Sequence, residues 1–247
     1  QAGYREIVVT GIEIAGWGKD LPGKPPVWLL IAEICKAVPH LRIRLGSLEP
    51  RIVTEEFAAA LSGFQNLCPQ FHLSMQSGCD TVLARMKRKY TTEEYMESLE
   101  RLRNAFPGCA ITTDMIVGFP GETEAEFEET VSLIQQVHYD SLFTFIFSPR
   151  AGTPAAGMDD PTPKAEKNRR FDKLCAVQNA ISEEIHRSYI GKTLRCLVDG
   201  RDGENLTART EGGRLVRFAG ADSLIGSFCP IEITGATTWS LTGRLAE

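Results

Sequence analysis

The chain has 247 residues, of which 43% are hydrophobic and 24% are charged, as is usual for a soluble globular protein. Its formal net charge of −5 excludes a uniformly basic surface of the kind that binds nucleic acid, although basic residues can still cluster locally. No apolar run reaches the ~20 residues that span a bilayer, and the start "QAGYREIVV" does not read as a signal peptide, so we expect a cytoplasmic protein with no membrane contact.

Apolar segments alternate with helical segments through the first part of the chain. Strands are predicted at Glu6–Ile12, Leu41–Glu49, Phe71–Met75, 110–119 and 141–147. The helices between them have threonine N-caps: Thr54, then Thr91 or Thr92, then Thr123, with Glu126 as a capping-box partner. Apolar strands alternating with helices indicate an α/β fold with a parallel sheet, and this pattern fits a barrel or a doubly wound sheet equally well.

The pattern changes towards the C-terminus. Residues 164–189 are predicted to form one long polar helix. Five short strands with Gly-rich turns follow: "KTLRCLVDG", "NLTARTE", "GRLVRFAG", "SFCPIEITGA" and "WSLTGRL". We therefore expect two domains, an α/β domain over 1–189 and a small all-β barrel over 190–247.

Polar residues and glycines follow each predicted strand of the first domain. The strand ends read "TGIE", "GSLEP", "MQSG", "GFPGE" and "FSPRAGTP". In parallel α/β folds, ligands bind at the carboxyl ends of the strands. Five such ends together favour a ligand site over a purely structural role.

Several single residues allow two interpretations. Glu49 is either a solvated strand end or a carboxylate for a ribose hydroxyl or an amine. Asp114 lies inside a strand, so it either binds a ligand or pairs with a cation, because a lone buried carboxylate is costly. Gln76 suits a sugar or a base, and Arg150 could bind a carboxylate or phosphate. The basic segment "MKRKY", 86–90, is either an RNA contact or a solvated helix end.

The strand ends together carry a family resemblance. "TGIE", "RLGSLEP", "LSMQSGCDTVLARMKRKYTTEEY", "TTDMIVGFPGETEAEFEET" and "FSPRAGTPAA" resemble the radical SAM methylthiotransferases that modify tRNA. The resemblance covers nearly the whole chain, and the C-terminal module is similar to that family's tRNA-binding TRAM domain. It implies a partial (β/α)6-type barrel that binds S-adenosylmethionine. In this family a [4Fe-4S] cluster cleaves that cofactor, and the resulting radical abstracts hydrogen from C2 of N6-modified adenosine 37 beside the anticodon.

The resemblance implies cofactor-binding roles for residues at the strand ends. These are Thr10, Gly11, Glu13, Ser47, Glu49, Gln76, Ser77, Asp114, Gly118, Pro120, Gly121 and Arg150. Gly118 and Gly121 carry no Cβ, so the backbone at these positions can approach the adenosyl group. The implied partner is the tRNA anticodon stem-loop. Arg209, Arg214 and Arg217 lie on one predicted hairpin and are either a tRNA-binding cluster or a solvated face.

Two departures from the family pattern bear on activity. The family's CxxxCxxC cluster motif stands before "GYREIVVTGIE" and is not in this sequence. Thiolates must converge on iron, so the scattered cysteines predict reduced, mostly buried thiols and no metal site. The chain therefore resembles a barrel without its first strand and cluster loop. Alone, it is expected to be catalytically inactive and to act only as a binding module for S-adenosylmethionine and tRNA.

The second departure concerns the substrate. "RLGSLEPRIVTEEF" and "CPQFHLSMQSGCD" are similar to enzymes acting on threonylcarbamoyladenosine, whereas "FTFIFSPRAGTPAAGM" and "SLIGSFCPIEITGATTWSLTGRL" are similar to enzymes acting on isopentenyladenosine. Both substrates stay open at this point. An unrelated barrel enzyme with a β appendage would not explain five matching strand ends in order.

Overall fold

A computed structural model of the chain describes residues 3–246. The first domain is a curved parallel sheet covered by helices. Its strands are β1 (Glu6–Val9), β2 (Arg42–Leu45), β3 (Ser47–Leu48), β4 (Gln70–Leu73), β5 (Ala110–Val117) and β6 (Ser141–Ile146). Pairing runs β1–β2 and β3–β4–β5–β6, and every pair is parallel. The arrangement is part of a barrel, which settles the choice that the sequence pattern left open.

Gly46 divides the predicted second strand into β2 and β3. A Cβ at this position would lie 2.4 Å from the Thr10 Oγ1 atom, so only glycine allows the end of β1 to pack here. The pairing of the chain passes at Gly46 from β1, the partner of β2, to β4, the partner of β3. We call the face of the sheet that lies away from the covering helices the concave face.

Six helices complete the first domain: α1 (Val27–Ala37), α2 (Glu55–Leu61), α3 (Asp80–Arg85), α4 (Thr92–Ala105), α5 (Glu124–Val137) and α6 (Lys164–Arg187). The predicted caps are confirmed. Thr54 accepts a hydrogen bond from the Phe57 N–H, and Thr91 and Thr123 form capping boxes with Glu94 and Glu126. None of the helices in the described range is long and apolar enough to cross a membrane.

The two faces of the sheet differ in polarity. Along β5, Thr113, Met115 and Val117 are fully buried. Thr112 and Asp114 alternate with them on the other face and stay partly exposed. The period of two in a strand therefore directs alternate side chains of β5 to the helices and to the concave face, and Thr112 and Asp114 lie on the concave face.

The second domain is a closed barrel with its own core. It contains β7 (Thr193–Asp202), β8 (Asn205–Arg209), β9 (Leu215–Phe218), β10 (Phe228–Ala236) and β11 (Leu241–Leu245), in the order β10-β11-β9-β8-β7. Ten buried apolar residues form this core, including Val198, Val216 and Ile231. The five predicted strands of this module are confirmed.

Arginines join the two domains. Arg42 Nη1 donates to the Arg209 carbonyl at 3.1 Å, and Arg44 donates to the Glu211 carbonyl at 3.0 Å and the Thr210 carbonyl at 3.2 Å. Glu6 accepts from both arginines. Burial opposes ionisation of Glu6, but the hydrogen bonds and charges of the two arginines outweigh it and lower the Glu6 pKa. The small barrel therefore closes the amino-terminal end of the parallel sheet.

Candidate functional site

A cleft of 300 Å³ lies at the carboxyl ends of β1 and β3. It brings together three of the predicted site residues, Glu13, Ser47 and Glu49, with Ser74 and Tyr90. Glu49 pairs with Arg51, and Glu13 lies 3.8 Å from the Lys19 Nζ atom. Carboxylates and hydroxyls at one strand edge form a polar site that can hold a ribose or an amine.

Gln76 has the most unusual backbone at the strand ends. Its φ of 73° lies in the left-handed region, which residues other than glycine rarely adopt. Backbone hydrogen bonds to β5 hold it there, with Gln76 N donating to the Asp114 carbonyl and Ile116 N to the Gln76 carbonyl, both at 2.9 Å. Such strain is found where the surrounding structure fixes a functional side chain.

The neighbouring Ser77 faces the helices. It is fully buried, and its hydroxyl lies 3.4 Å from Thr130 Oγ1 on α5. Gly78 N donates to the same oxygen at 3.0 Å. These contacts join β4 to α5 and direct the Ser77 hydroxyl away from the cleft, so its cofactor-binding role stays a prediction.

The turn after β5 is held on α6. Gly118 N donates to Glu122 Oε2 at 2.7 Å, and Glu122 pairs with Arg170 at 3.0 Å. Burial raises the pKa of Glu122, against the lowering effect of these two donors. A Cβ at Gly118 would lie 2.6 Å from the Lys167 Cγ atom, whereas one at Gly121 would meet nothing within 4 Å. Packing on α6 therefore requires glycine at 118.

The remaining predicted residues lie around the same edge without lining the cleft. Thr10 packs on Gly46, and Gly11 is exposed next to it. Pro120 is buried in the turn after β5. Arg150 is exposed after β6, and its carbonyl accepts from the Thr153 hydroxyl at 2.8 Å. The fold thus places all five strand ends at one edge but brings only part of the predicted set into one cavity.

A polar network on the concave face was not recognised as a site from the sequence. His72 Nδ1 lies 3.0 Å from Thr112 Oγ1, and His72 Nε2 lies 3.2 Å from Asp114 Oδ2. Asp114 therefore pairs with a histidine rather than a buried lysine or arginine. The sequence signal for this network was the alternation of polar with other residues in the strand segments "FHLSM" and "TTD".

A larger cleft of 770 Å³ lies between the concave face and the small barrel. His72, Thr112 and Phe143 line it from the sheet, and Arg209 and Trp239 line it from the small barrel. Ser47 lines both clefts, so the two adjoin at this residue.

The three arginines of the predicted RNA-binding hairpin divide into two groups. Arg209 and Arg217 lie on neighbouring strands and pair with Asp199 and Asp202 at 3.2 and 2.9 Å. Arg214 instead is buried against the first domain, where it pairs with Asp140. An RNA-binding role for these residues stays a prediction, and Arg214 has a clear structural role between the domains.

The cysteines do not form a metal site. All seven are free thiols, and within residues 3–246 no group of three or more His, Cys, Asp or Glu side chains is placed to hold a metal. Burial raises the pKa of Cys68 and Cys109 to about 11 and that of Cys196 to about 12. Thiolate ligands are therefore disfavoured here, and the residues present do not fit an iron–sulfur cluster.

Comparison with protein families gives two matches. The radical SAM superfamily matches residues 1–134, and the TRAM domain matches residues 187–246. The second match begins within α6, slightly before the predicted boundary at 189/190. A solved structure, coproporphyrinogen III oxidase (HemN) from Escherichia coli, aligns with a TM-score of 0.52 at 15% identity, over 77% of this chain and 52% of that one. It supports the fold alone.

Curated relatives match along the whole chain. A "tRNA-2-methylthio-N(6)-dimethylallyladenosine synthase" of Thermoanaerobacter sp. (strain X514) is 39% identical over 100% of this chain and 53% of its own length. A protein of the same name from Clostridium botulinum (strain Langeland / NCTC 10281 / Type F) is 41% identical over 98% of this chain and 54% of its own length. The chain thus spans about half the length of the curated relatives it matches.

Proposed function

The chain belongs to the radical SAM superfamily, and from that premise we propose that it is the S-adenosylmethionine- and tRNA-binding part of a tRNA methylthiotransferase. One observation carries this proposal: the similarity to proteins of that name covers both domains. The geometry is consistent with it. The polar strand ends lie on a radical SAM barrel, and hydrogen bonds from Arg44 join that barrel to the TRAM domain.

The proposed substrate is N6-dimethylallyladenosine (isopentenyladenosine) at position 37 of a tRNA. The sequence left this modification and threonylcarbamoyladenosine open. The names of the relatives favour dimethylallyladenosine. These relatives match over 98–100% of the chain, including the segments that resemble the enzymes acting on threonylcarbamoyladenosine. The proposed partner is the anticodon stem-loop.

The residues at the strand ends fit S-adenosylmethionine. Glu13 and Glu49 line the cleft and offer carboxylates for its amino group and ribose hydroxyls. Gln76 is buried and does not line the cleft, and its amide offers both a donor and an acceptor beside the strand ends. In radical SAM enzymes this cofactor supplies the radical that activates the substrate. The chain's own residues orient it and the nucleoside, and the adjoining concave face of His72 and Asp114 offers further hydrogen bonds.

The cysteines of this chain do not fit the cluster that the family uses. For the chain alone, we therefore propose binding without catalysis. Its carboxylates and amide can bind the cofactor without iron, so cofactor binding and turnover are separable properties.

The first test is the iron and sulfide content of the chain after anaerobic reconstitution, together with calorimetric binding of S-adenosylmethionine. We expect no stoichiometric cluster, and cofactor binding that weakens at least roughly tenfold in Glu49→Ala. Arg244→Ala, which removes an exposed arginine of the small barrel, is the control. Four irons per chain would overturn the account of the cysteines. Equal affinity of Glu49→Ala and the unchanged chain would overturn the proposed cofactor site.

A further inference from the structure

Three consecutive basic residues lie on the rim of the strand-end cleft. Lys87, Arg88 and Lys89 line it from the loop between α3 and α4, and all three are exposed. Within residues 3–246 their side chains form no ion pair and no hydrogen bond. Most arginines of the described chain are instead held in ion pairs. The loop therefore carries uncompensated positive charge in a protein of net charge −5.

The acidic groups around the loop do not compensate its charge. Four carboxylates line its clefts: Glu13, Glu49, Asp80 and Glu94. The first two pair with Lys19 and Arg51. The Asp80 and Glu94 carboxylates accept the backbone N–H groups that begin α4, at 2.7 and 2.8 Å. No carboxylate here pairs with the three cations.

Hydrogen bonds hold the backbone of the loop. Lys87 has a φ of 60°, and its N–H donates to the Ala84 carbonyl at 3.0 Å, while Arg88 N donates to the Leu83 carbonyl at 2.9 Å. The buried Tyr90 hydroxyl lies 2.9 Å from the Ser74 carbonyl, next to the end of β4. The backbone that presents the cations is therefore fixed to the strand end and needs little ordering on binding.

We propose that Lys87, Arg88 and Lys89 bind the backbone phosphates of the RNA on either side of the nucleoside that enters the cleft. This rests on the proposed function, because it assumes an RNA substrate. A single small anion, such as the cofactor carboxylate, would neutralise one of the three charges, whereas successive phosphates of a polyanion can neutralise all of them. The loop then sets the register of the RNA, and the cleft contacts the base and ribose.

The test is the salt dependence of RNA binding by the full 247-residue chain. The probe is a fluorescein-labelled RNA hairpin with the sequence of an anticodon stem-loop, measured by fluorescence polarisation. The variant carries Lys87→Gln, Arg88→Gln and Lys89→Gln. The matched control carries Lys36→Gln, Lys173→Gln and Arg187→Gln, which remove the same charge from helices α1 and α6.

Loss of three phosphate contacts should reduce the slope of log affinity against log salt by about 2, and weaken binding about 100-fold at ~0.1 M salt. The control should keep most of the slope. RNA binding by the unchanged chain together with an unaltered slope in the loop variant would overturn this inference and leave the proposed function intact. Loss of S-adenosylmethionine binding with an unaltered RNA slope would assign the loop to the cofactor and also overturn it. No RNA binding by the unchanged chain would overturn both proposals.

Discussion

Gly118 and Gly121 allow a direct test of what glycine does in the turn after β5. Both have positive φ, 68° and 75°. The space around them differs, because a Cβ at Gly118 would lie 2.6 Å from Lys167 Cγ and 2.8 Å from its Cδ, whereas one at Gly121 would contact nothing within 4 Å. Lys167 is 7% exposed and pairs with Asp160, so it has little freedom to move.

The expected cost of each alanine follows from these contacts. The left-handed backbone costs about 1–2 kcal/mol for a residue with a Cβ, and both variants incur it. Gly118→Ala also displaces Lys167, which adds about 1–3 kcal/mol as overpacking does elsewhere. We therefore expect a loss of about 2–5 kcal/mol in the unfolding free energy for Gly118→Ala and about 1–2 kcal/mol for Gly121→Ala.

Urea-induced unfolding followed by circular dichroism measures both values. The double variant Gly118→Ala/Lys167→Ala should lose less stability than the sum of its single variants, because the clash is gone. Equal costs at 118 and 121, or strict additivity with Lys167→Ala, would refute the packing argument. Another property would then explain the glycines of this turn, such as the close approach of the backbone to the adenosyl group that the family resemblance implies.

Three further predictions concern single contacts. Thr123→Ala removes the N-cap of α5 and should lower the unfolding free energy by about 1 kcal/mol, whereas Thr123→Ser should largely retain it, as measured in urea. Hydrogen bonds from Arg85, the largest contributor, and from Thr81 and the Thr123 N–H lower the pKa of Glu126 from 4.5 to about 2. The stabilisation is therefore complete above about pH 4.5 and is lost as the pH falls towards 2. Arg85→Ala should therefore cost about 1 kcal/mol near neutral pH and much less near pH 2, and an equal cost at both would contradict the assignment. Arg44→Met removes hydrogen bonds to two carbonyls of the small barrel and should speed proteolysis of the segment between the domains, with Arg244→Met as a control that leaves the rate unchanged.

Features that depend on neighbours in the chain were predictable. A threonine three residues before a glutamate predicted the capping box of α5, and Thr91 or Thr92 was predicted as the N-cap of α4, because a cap and its partner lie within one turn. Apolar runs alternating with helical segments predicted the parallel sheet and the five-stranded module. The strand ends then predicted where a ligand would bind, since parallel strands share one edge.

Which of those polar residues reach a cavity depended on contacts between distant segments. Ser77 bonds to Thr130 on α5, and the arginine predicted to bind RNA, Arg214, pairs with Asp140 in the other domain. The period of two in a strand shows that neighbours point to opposite faces but not which face the helices cover. Which face of a strand the helices cover is decided when apolar surface is buried during folding. The sequence alone therefore determined the helices, the strands and the sheet edge at which the strand ends meet. Only tertiary packing decided which side chains at that edge remain free to bind a ligand.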